Sequence, residues 1–284
     1  MRSDARDNPF QLYYHPDNRA SQEKLLKDTR AAHRERFGTT DDLLVGLQIT
    51  HSGRYCQPDQ DFRPRPRIAY RHPLLDNRVG VEDDTSLVTD MELDDLIGDF
   101  VAYAKFAHEA GFDFVDIKQC HGYLLHEMLS AHTRPGRYGG SFENRTRLFR
   151  EIVAGIRRDV PGLMLGTRIS AFDMVPFRKP PGDPAGIGEP VEYQHLLPYR
   201  YGFGVNAANP TEPDLTEPLE LLRLCEGLSV RLINISGGSP YYNPHIQRPA
   251  QHPPCDGYHP PEDPLLGCAR LIDAAARCKR EFPN

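Results

Sequence analysis

The chain has 284 residues, 39% of them hydrophobic and 26% charged, with a formal net charge of -6. That balance suits a folded chain and excludes a disordered one, and with no basic block to neutralise phosphates it argues against nucleic acid as a partner. The start, Met-Arg-Ser-Asp-Ala-Arg-Asp, has no apolar leader, and no apolar run reaches the ~18 residues of a membrane span, so the expected location is cytoplasmic with no membrane partner.

The first candidate element is a weak strand at Phe10–His15. A clearer apolar run, Leu43–Ile49, predicts a buried parallel strand. The run Arg63-Pro-Arg-Pro-Arg67 is the nearest approach to a basic patch, and its alternating prolines point to a stiff surface loop. A helix is predicted from Thr89, where Thr89 and Glu92 have capping-box spacing. Leu93, Leu96, Ile97, Phe100, Ala104 and Ala107 then recur at helical intervals until Gly111 stops them.

A second strand, Phe112–Ile117, runs into Lys118, His121 and Tyr123, after which an amphipathic segment begins. At the carboxyl end of a barrel strand these three side chains could polarise a carbonyl and deliver a proton. The competing reading is a satisfied core histidine beside a packing tyrosine. A second helix starts near Ser141, with Phe142, Leu148, Phe149, Ile152, Val153 and Ile156 on its apolar face, and ends before Pro161.

The third strand is Leu163–Ile169, the third helix runs from about Thr216 to Gly227 with Pro218 in its first turn, and the fourth strand is Val230–Ile235. A last helix spans roughly Glu262 to Glu281. Strands alternating with helices predict an α/β fold with a parallel sheet. Long polar loops at 55–88, 172–215 and 237–261 each follow a strand, where barrel enzymes carry their binding loops; surface insertion is the alternative. The six cysteines, at 56, 120, 225, 255, 268 and 278, include no C-x-x-C pair, against a zinc ribbon or an iron–sulfur ligand set.

Three segments now carry a family likeness: Gly46-Leu-Gln-Ile-Thr-His-Ser-Gly-Arg54, His121-Gly-Tyr-Leu-Leu-His-Glu127 leading to Tyr138-Gly-Gly-Ser-Phe-Glu-Asn-Arg145, and Thr167-Arg-Ile-Ser170. Together they resemble the Old Yellow Enzyme family of FMN-dependent NADH:flavin oxidoreductases, over roughly residues 40 to 284. The resemblance implies a TIM (β/α)8 barrel with FMN across the carboxyl ends of its strands. The four clear strands would then be roughly the third to sixth of a partial barrel. Residues 1–43 would be an N-terminal remnant and 44–284 the central part of one incomplete domain.

The resemblance also implies roles. Gln48 would meet the flavin's pyrimidine edge; by its own chemistry it could equally satisfy local backbone. Arg168, a permanent cation in an apolar strand, would sit by the flavin's N1 and C2 carbonyl; its rival partner is a structural carboxylate such as Asp116. Tyr123 matches the family's proton donor and His121 the second member of its carbonyl-binding pair. The first member is normally histidine, but here it is Lys118, which departs from the pattern and puts the enone preference in question. The Tyr138–Arg145 run would be structural, supplying tight turns and a helix entry. By position alone, His51 and Arg54 could line the pocket rim and Tyr241 and Tyr242 could cover a substrate; ordinary loop packing is the alternative for all four.

The implied reaction takes hydride from NAD(P)H through FMN to a small electron-poor alkene, with Lys118 and His121 on its carbonyl oxygen and Tyr123 as acid. The chain looks cut at both ends, so the chain alone is expected to hold FMN poorly. Its open sheet edges would call for a complementing chain or a homo-oligomer. Two other readings stay open: a degenerate, flavin-free barrel acting as a binding or assembly module, and a metal-dependent hydrolase, for which no H-x-H or H-E-x-x-H pair exists.

Overall fold

A computed structural model describes residues 2–182, 186–251 and 257–283, so Cys255 and the predicted loops' segments 183–185 and 252–256 lie outside the described residues. In chain order the elements begin with α1 (Arg19–Phe37), β1 (Gly46–Ile49), α2 (Asp90–Ala110), β2 (Phe114–Gln119) and α3 (Leu124–Leu129). Then come α4 (Phe142–Arg145), α5 (Arg147–Asp159), β3 (Met164–Ser170), β4 (Phe177–Arg178), β5 (Glu189–Pro190), α6 (Thr216–Gly227), β6 (Leu232–Ser236), α7 (Pro244–Gln247) and α8 (Pro264–Glu281). Among the described residues, no helix is long and apolar enough to cross a membrane.

The four expected strands form one parallel sheet in the order β1-β2-β3-β6, and β4 and β5 make a separate antiparallel ribbon. Each strand is a short apolar run because both faces must be covered or turned inward. Alternation decides the faces. Val115 and Ile117 are fully buried against helices, while their neighbours Asp116 and Lys118 point to the other face. The sheet curls without closing. Residues from both edge strands, Gly46 and Gln48 on β1 and Leu232 and Asn234 on β6, line one hollow of ≈ 490 Å³ on the inner face.

The outer layer follows from helix chemistry. Thr89 caps α2 through its side chain, Glu92 returns the bond to the Thr89 backbone, and Gly111 ends the helix in the left-handed conformation at φ 89°. Leu93, Phe100, Ala104 and Ala107 of α2 meet Ile152, Val153 and Ile156 of α5 in the main core. Burying a side chain such as Leu93 contributes about 1.5–3 kcal/mol. Gly155 lets the two helices close, since a Cβ there would come within 2.6 Å of Val101.

The structure departs from expectation in three places. Phe10–His15 forms no strand: it is irregular chain leading into α1, with Phe10 and Leu12 exposed. The sequence pattern offered no helix at Arg19–Phe37, because only Gln22 and Leu26 are buried and the rest of its surface is charged. The helix expected from Ser141 is broken at Thr146 into α4 and α5. The Tyr138–Arg145 run does hold structure together: the Tyr138 hydroxyl donates to Asp94 at 2.5 Å with Glu151 3.1 Å away, and Arg145 ties Leu129 O to Glu217. In the arginine–proline run, Arg63 and Arg65 are exposed and pair with Asp61, while Arg67 pairs with Glu92. That run is a neutralised surface loop.

Candidate active site

The register of the sheet sets the layers of the inner face. Gln48 lies level with Asp116, and one layer further toward the carboxyl ends Lys118 lies level with Arg168 and Asn234. Gln48 donates its amide to Asp116 Oδ2 at 2.5 Å, so the sequence alternative in which Asp116 partners Arg168 is not the hydrogen bond that forms. Burial pushes the Asp116 carboxyl up, and the Gln48 bond opposes it. Arg168 Nε is buried with no hydrogen-bond partner among the described residues. Two cations side by side on adjacent strands repel, and a buried donor without an acceptor is unfavourable. This layer therefore suits a ligand carrying negative or acceptor character.

Above it, the chain after β2 turns sharply. His121 adopts φ 67°, a left-handed conformation that costs a non-glycine residue about 1–2 kcal/mol. The turn is held because the His121 N–H donates to Ser170 Oγ and Ser239 Oγ donates to His121 O. The ring is fixed as well: Nε2 lies 3.1 Å from Ser236 Oγ, at the end of β6. Burial, then the charges of Lys118 and Arg168, push His121 down to about 3, so the imidazole is neutral at pH 7. Lys118 is also pushed down, chiefly by burial.

Tyr123 stands between them. Lys118 Nζ lies 3.5 Å from the centroid of the Tyr123 ring. The Tyr123 hydroxyl donates to Asp7 Oδ2 at 2.7 Å and lies 2.9 Å from the Tyr241 hydroxyl. Since Tyr123 has one phenolic proton and gives it to Asp7, Tyr241 is the donor in the second bond. Burial first, then Tyr241 and Asp7, hold the Tyr123 phenol far above its usual range. Tyr241 in turn stacks on Tyr55 at 3.8 Å.

The structure thus gathers Lys118, His121 and Tyr123 at the carboxyl end of β2, with Arg168 one strand away and Gln48 a layer lower on β1. For Arg54, His51 and Tyr242 the alternative of ordinary packing holds in place of a role at the pocket. Arg54 does not line a rim: it is fully buried, bonded to Glu127 at 2.5 Å, Asp76 at 2.6 Å and Tyr70 O at 3.1 Å. His51 is also buried and spends Nδ1 on the Gly53 N–H. Tyr242 is anchored by its hydroxyl to Asp173, leaving Tyr241 alone of the pair exposed at the site. Asp7 was missed, and no local pattern marks it, because it arrives from 116 residues away. Among the described residues, no group of three His, Cys, Asp or Glu side chains is placed to hold a metal.

Residues 39–183 match the NADH:flavin oxidoreductase / NADH oxidase family. An NADH:flavin oxidoreductase of Gibberella zeae is 32% identical over 151 residues, covering 48% of this chain and 37% of that protein. An NADPH dehydrogenase of Bacillus subtilis is 33% identical over 136 residues, covering 45% of this chain and 36% of that protein. The chain therefore spans little more than a third of the curated relatives it matches. The Old Yellow Enzyme structure from Pichia sp. AKU4542 superposes with a TM-score of 0.52 at 21% identity, over 80% of this chain and 55% of that one, a likeness of fold. With the match covering half its length and the barrel-type arc beneath it, this chain belongs to the NADH:flavin oxidoreductase / NADH oxidase family.

Proposed function

We propose that the chain is the central part of an FMN-dependent oxidoreductase, residues 44–284 forming an incomplete barrel and residues 1–43 its N-terminal remnant. The observation that carries the reading is the inner face itself, where Lys118 and an Arg168 whose buried Nε has no partner among the described residues lie level beneath His121 and Tyr123. An isoalloxazine edge with acceptor oxygens and nitrogens would satisfy that orphaned donor, so the residues fit FMN. Arg168 and Lys118 would hold its electron-rich edge, and Gln48 would offer the amide oxygen that its bond to Asp116 leaves free. When bound, FMN supplies hydride exchange between NAD(P)H and a small electron-poor alkene.

The chain's own residues do the rest. Neutral His121 and cationic Lys118 would bind the alkene's carbonyl oxygen and stabilise its growing charge. Tyr123 would give its hydroxyl proton to the adjacent carbon. Lys118 above the ring would ease the phenolate that remains. The curl of the sheet would shelter the site from water on one side. A soluble, cytoplasmic setting and a partner that covers the open edges belong to the same proposal.

Two measurements test it. The visible spectrum of the purified chain should show little flavin as isolated and a weakly held, NAD(P)H-bleachable flavin only in excess FMN. Tight stoichiometric FMN would overturn the expectation of poor binding by an incomplete barrel, and a chain that ignores even excess FMN sinks the cofactor assignment. Tyr123→Phe should slow alkene reduction about 10²–10⁴-fold while sparing flavin reduction. Equal loss of both halves would remove Tyr123 as donor. A flavin-free binding module is the second reading, favoured by one observation: one of the two Gln48 amide N–H donors is already committed to Asp116.

A further inference from the structure

The segment ahead of α1 reaches into the site from outside the family match. Ala5 is fully buried, and its carbonyl accepts from the Ser52 N–H at 2.8 Å. The Arg6 carbonyl accepts from the Gln57 N–H at 2.8 Å, and the Arg6 guanidinium donates to Pro58 O at 2.9 Å. These bonds fasten residues 5 and 6 to the loop after β1 and leave the next side chain, Asp7, directed at Tyr123. The Asp7 backbone is fixed too, its N–H donating to Gln11 Oε1.

We propose that Asp7 is a positioning residue for Tyr123: it accepts the phenolic hydrogen bond and sets the rotation of the hydroxyl at the site. The inference rests on the reading of Tyr123 as proton donor. A phenol rotates freely about its C–O bond; the bond to Asp7 fixes that rotation in the resting site, and the proton turns from Asp7 toward the alkene carbon only when substrate is in place. Tyr241 donates to the same oxygen at 2.9 Å, so the hydroxyl is held from both sides. The charged and titratable groups facing Tyr123 are Asp7 from the arm, Tyr241 from the loop after β6, Lys118 from β2 and Tyr55 from the loop after β1. Asp7 is the one carboxylate in that set, and its charge opposes loss of the proton until an acceptor is in place.

The test uses the full chain with tyrosine labelled with 13C at ring Cζ, the Tyr123 signal being assigned by its loss in Tyr123→Phe. Asp7→Asn should move that signal. In the unmutated chain the same signal should show an inflection as acid protonates carboxylates, and the inflection should vanish in Asp7→Asn. A Tyr123 signal that ignores both changes overturns the proposal. If Asp7→Asn fails to fold, the acid inflection of the unmutated chain decides the matter by its presence or absence. Neither readout needs flavin or turnover. A signal that responds while Tyr123→Phe spares alkene reduction would remove the donor role, and with it any role for Asp7 in the reaction. An unresponsive signal would remove the role of Asp7 alone.

Discussion

The Lys118 ammonium rests 3.5 Å from the centroid of the Tyr123 ring, so the residue that departs from the family's usual histidine stands on the face of its expected proton donor. A cation there stabilises the ring by about 0.5–2 kcal/mol, and by more as the oxygen becomes anionic. Lys118→Met keeps the aliphatic length and removes the charge. Alkene reduction by the pre-reduced chain should slow about 3–30-fold, as single-turnover kinetics would register. An unchanged rate would confine Lys118 to packing.

Arg168 should show opposite effects on stability and binding. Its buried Nε has no partner among the described residues, so Arg168→Met should raise the free energy of unfolding by about 1–3 kcal/mol if the orphaned donor is the main liability. The same change should weaken FMN binding, followed by flavin fluorescence. Loss of both would mean that Arg168 is a strut rather than a ligand-holding group.

Arg54 makes the contrary case. Burial works against its charge, but Glu127, Tyr55 and Asp76 outweigh burial and hold the guanidinium protonated. Removing one member strands the others in the interior. Arg54→Met should destabilise the chain by about 3–5 kcal/mol in urea unfolding. A change below about 1 kcal/mol would show that water reaches the two carboxylates.

Acid should unfold the chain earlier than its carboxylates alone would require. Burial lowers His51 and His245 to about 4 and His121 to about 3, with His72 and His126 also depressed. Their unfolded counterparts protonate near pH 6.5. Between that pH and the folded values, the unfolded chain binds more protons, so stability falls as pH falls through this window. Urea unfolding at pH 7.5, 6 and 5 should show a steady loss equivalent to two or more protons, on the order of 2.7 kcal/mol per pH unit at the steepest point. A flat profile would mean these rings are already charged or hydrated in the fold.

The sheet was legible because each strand is a compact apolar run bounded by breakers, and because Thr89, Glu92 and Gly111 mark the ends of α2 in local chemistry. Lys118, His121 and Tyr123 were legible for the same reason: they follow one strand directly, and the turn brings them together. What escaped depends on distance along the chain. Arg54 reads like a pocket cation until Asp76 and Glu127 are seen to close around it. The charged helix α1 hides its single buried leucine, Leu26, in a polar surface. Asp7 reaches Tyr123 only because Ala5 and Arg6 are fastened to residues 52 and 57.

The stack of Tyr55 on Tyr241 joins the loop after β1 to the loop after β6, and those are the two strands at the ends of the open sheet. The wall of the arc is interrupted, but its rim is bridged, as a bowstring spans a bow. Prising β1 and β6 apart must first separate the rings stacked at 3.8 Å, and the Tyr241 hydroxyl that rests on Tyr123 moves with them. The curvature of the sheet and the setting of the Tyr123 hydroxyl are therefore one mechanical variable.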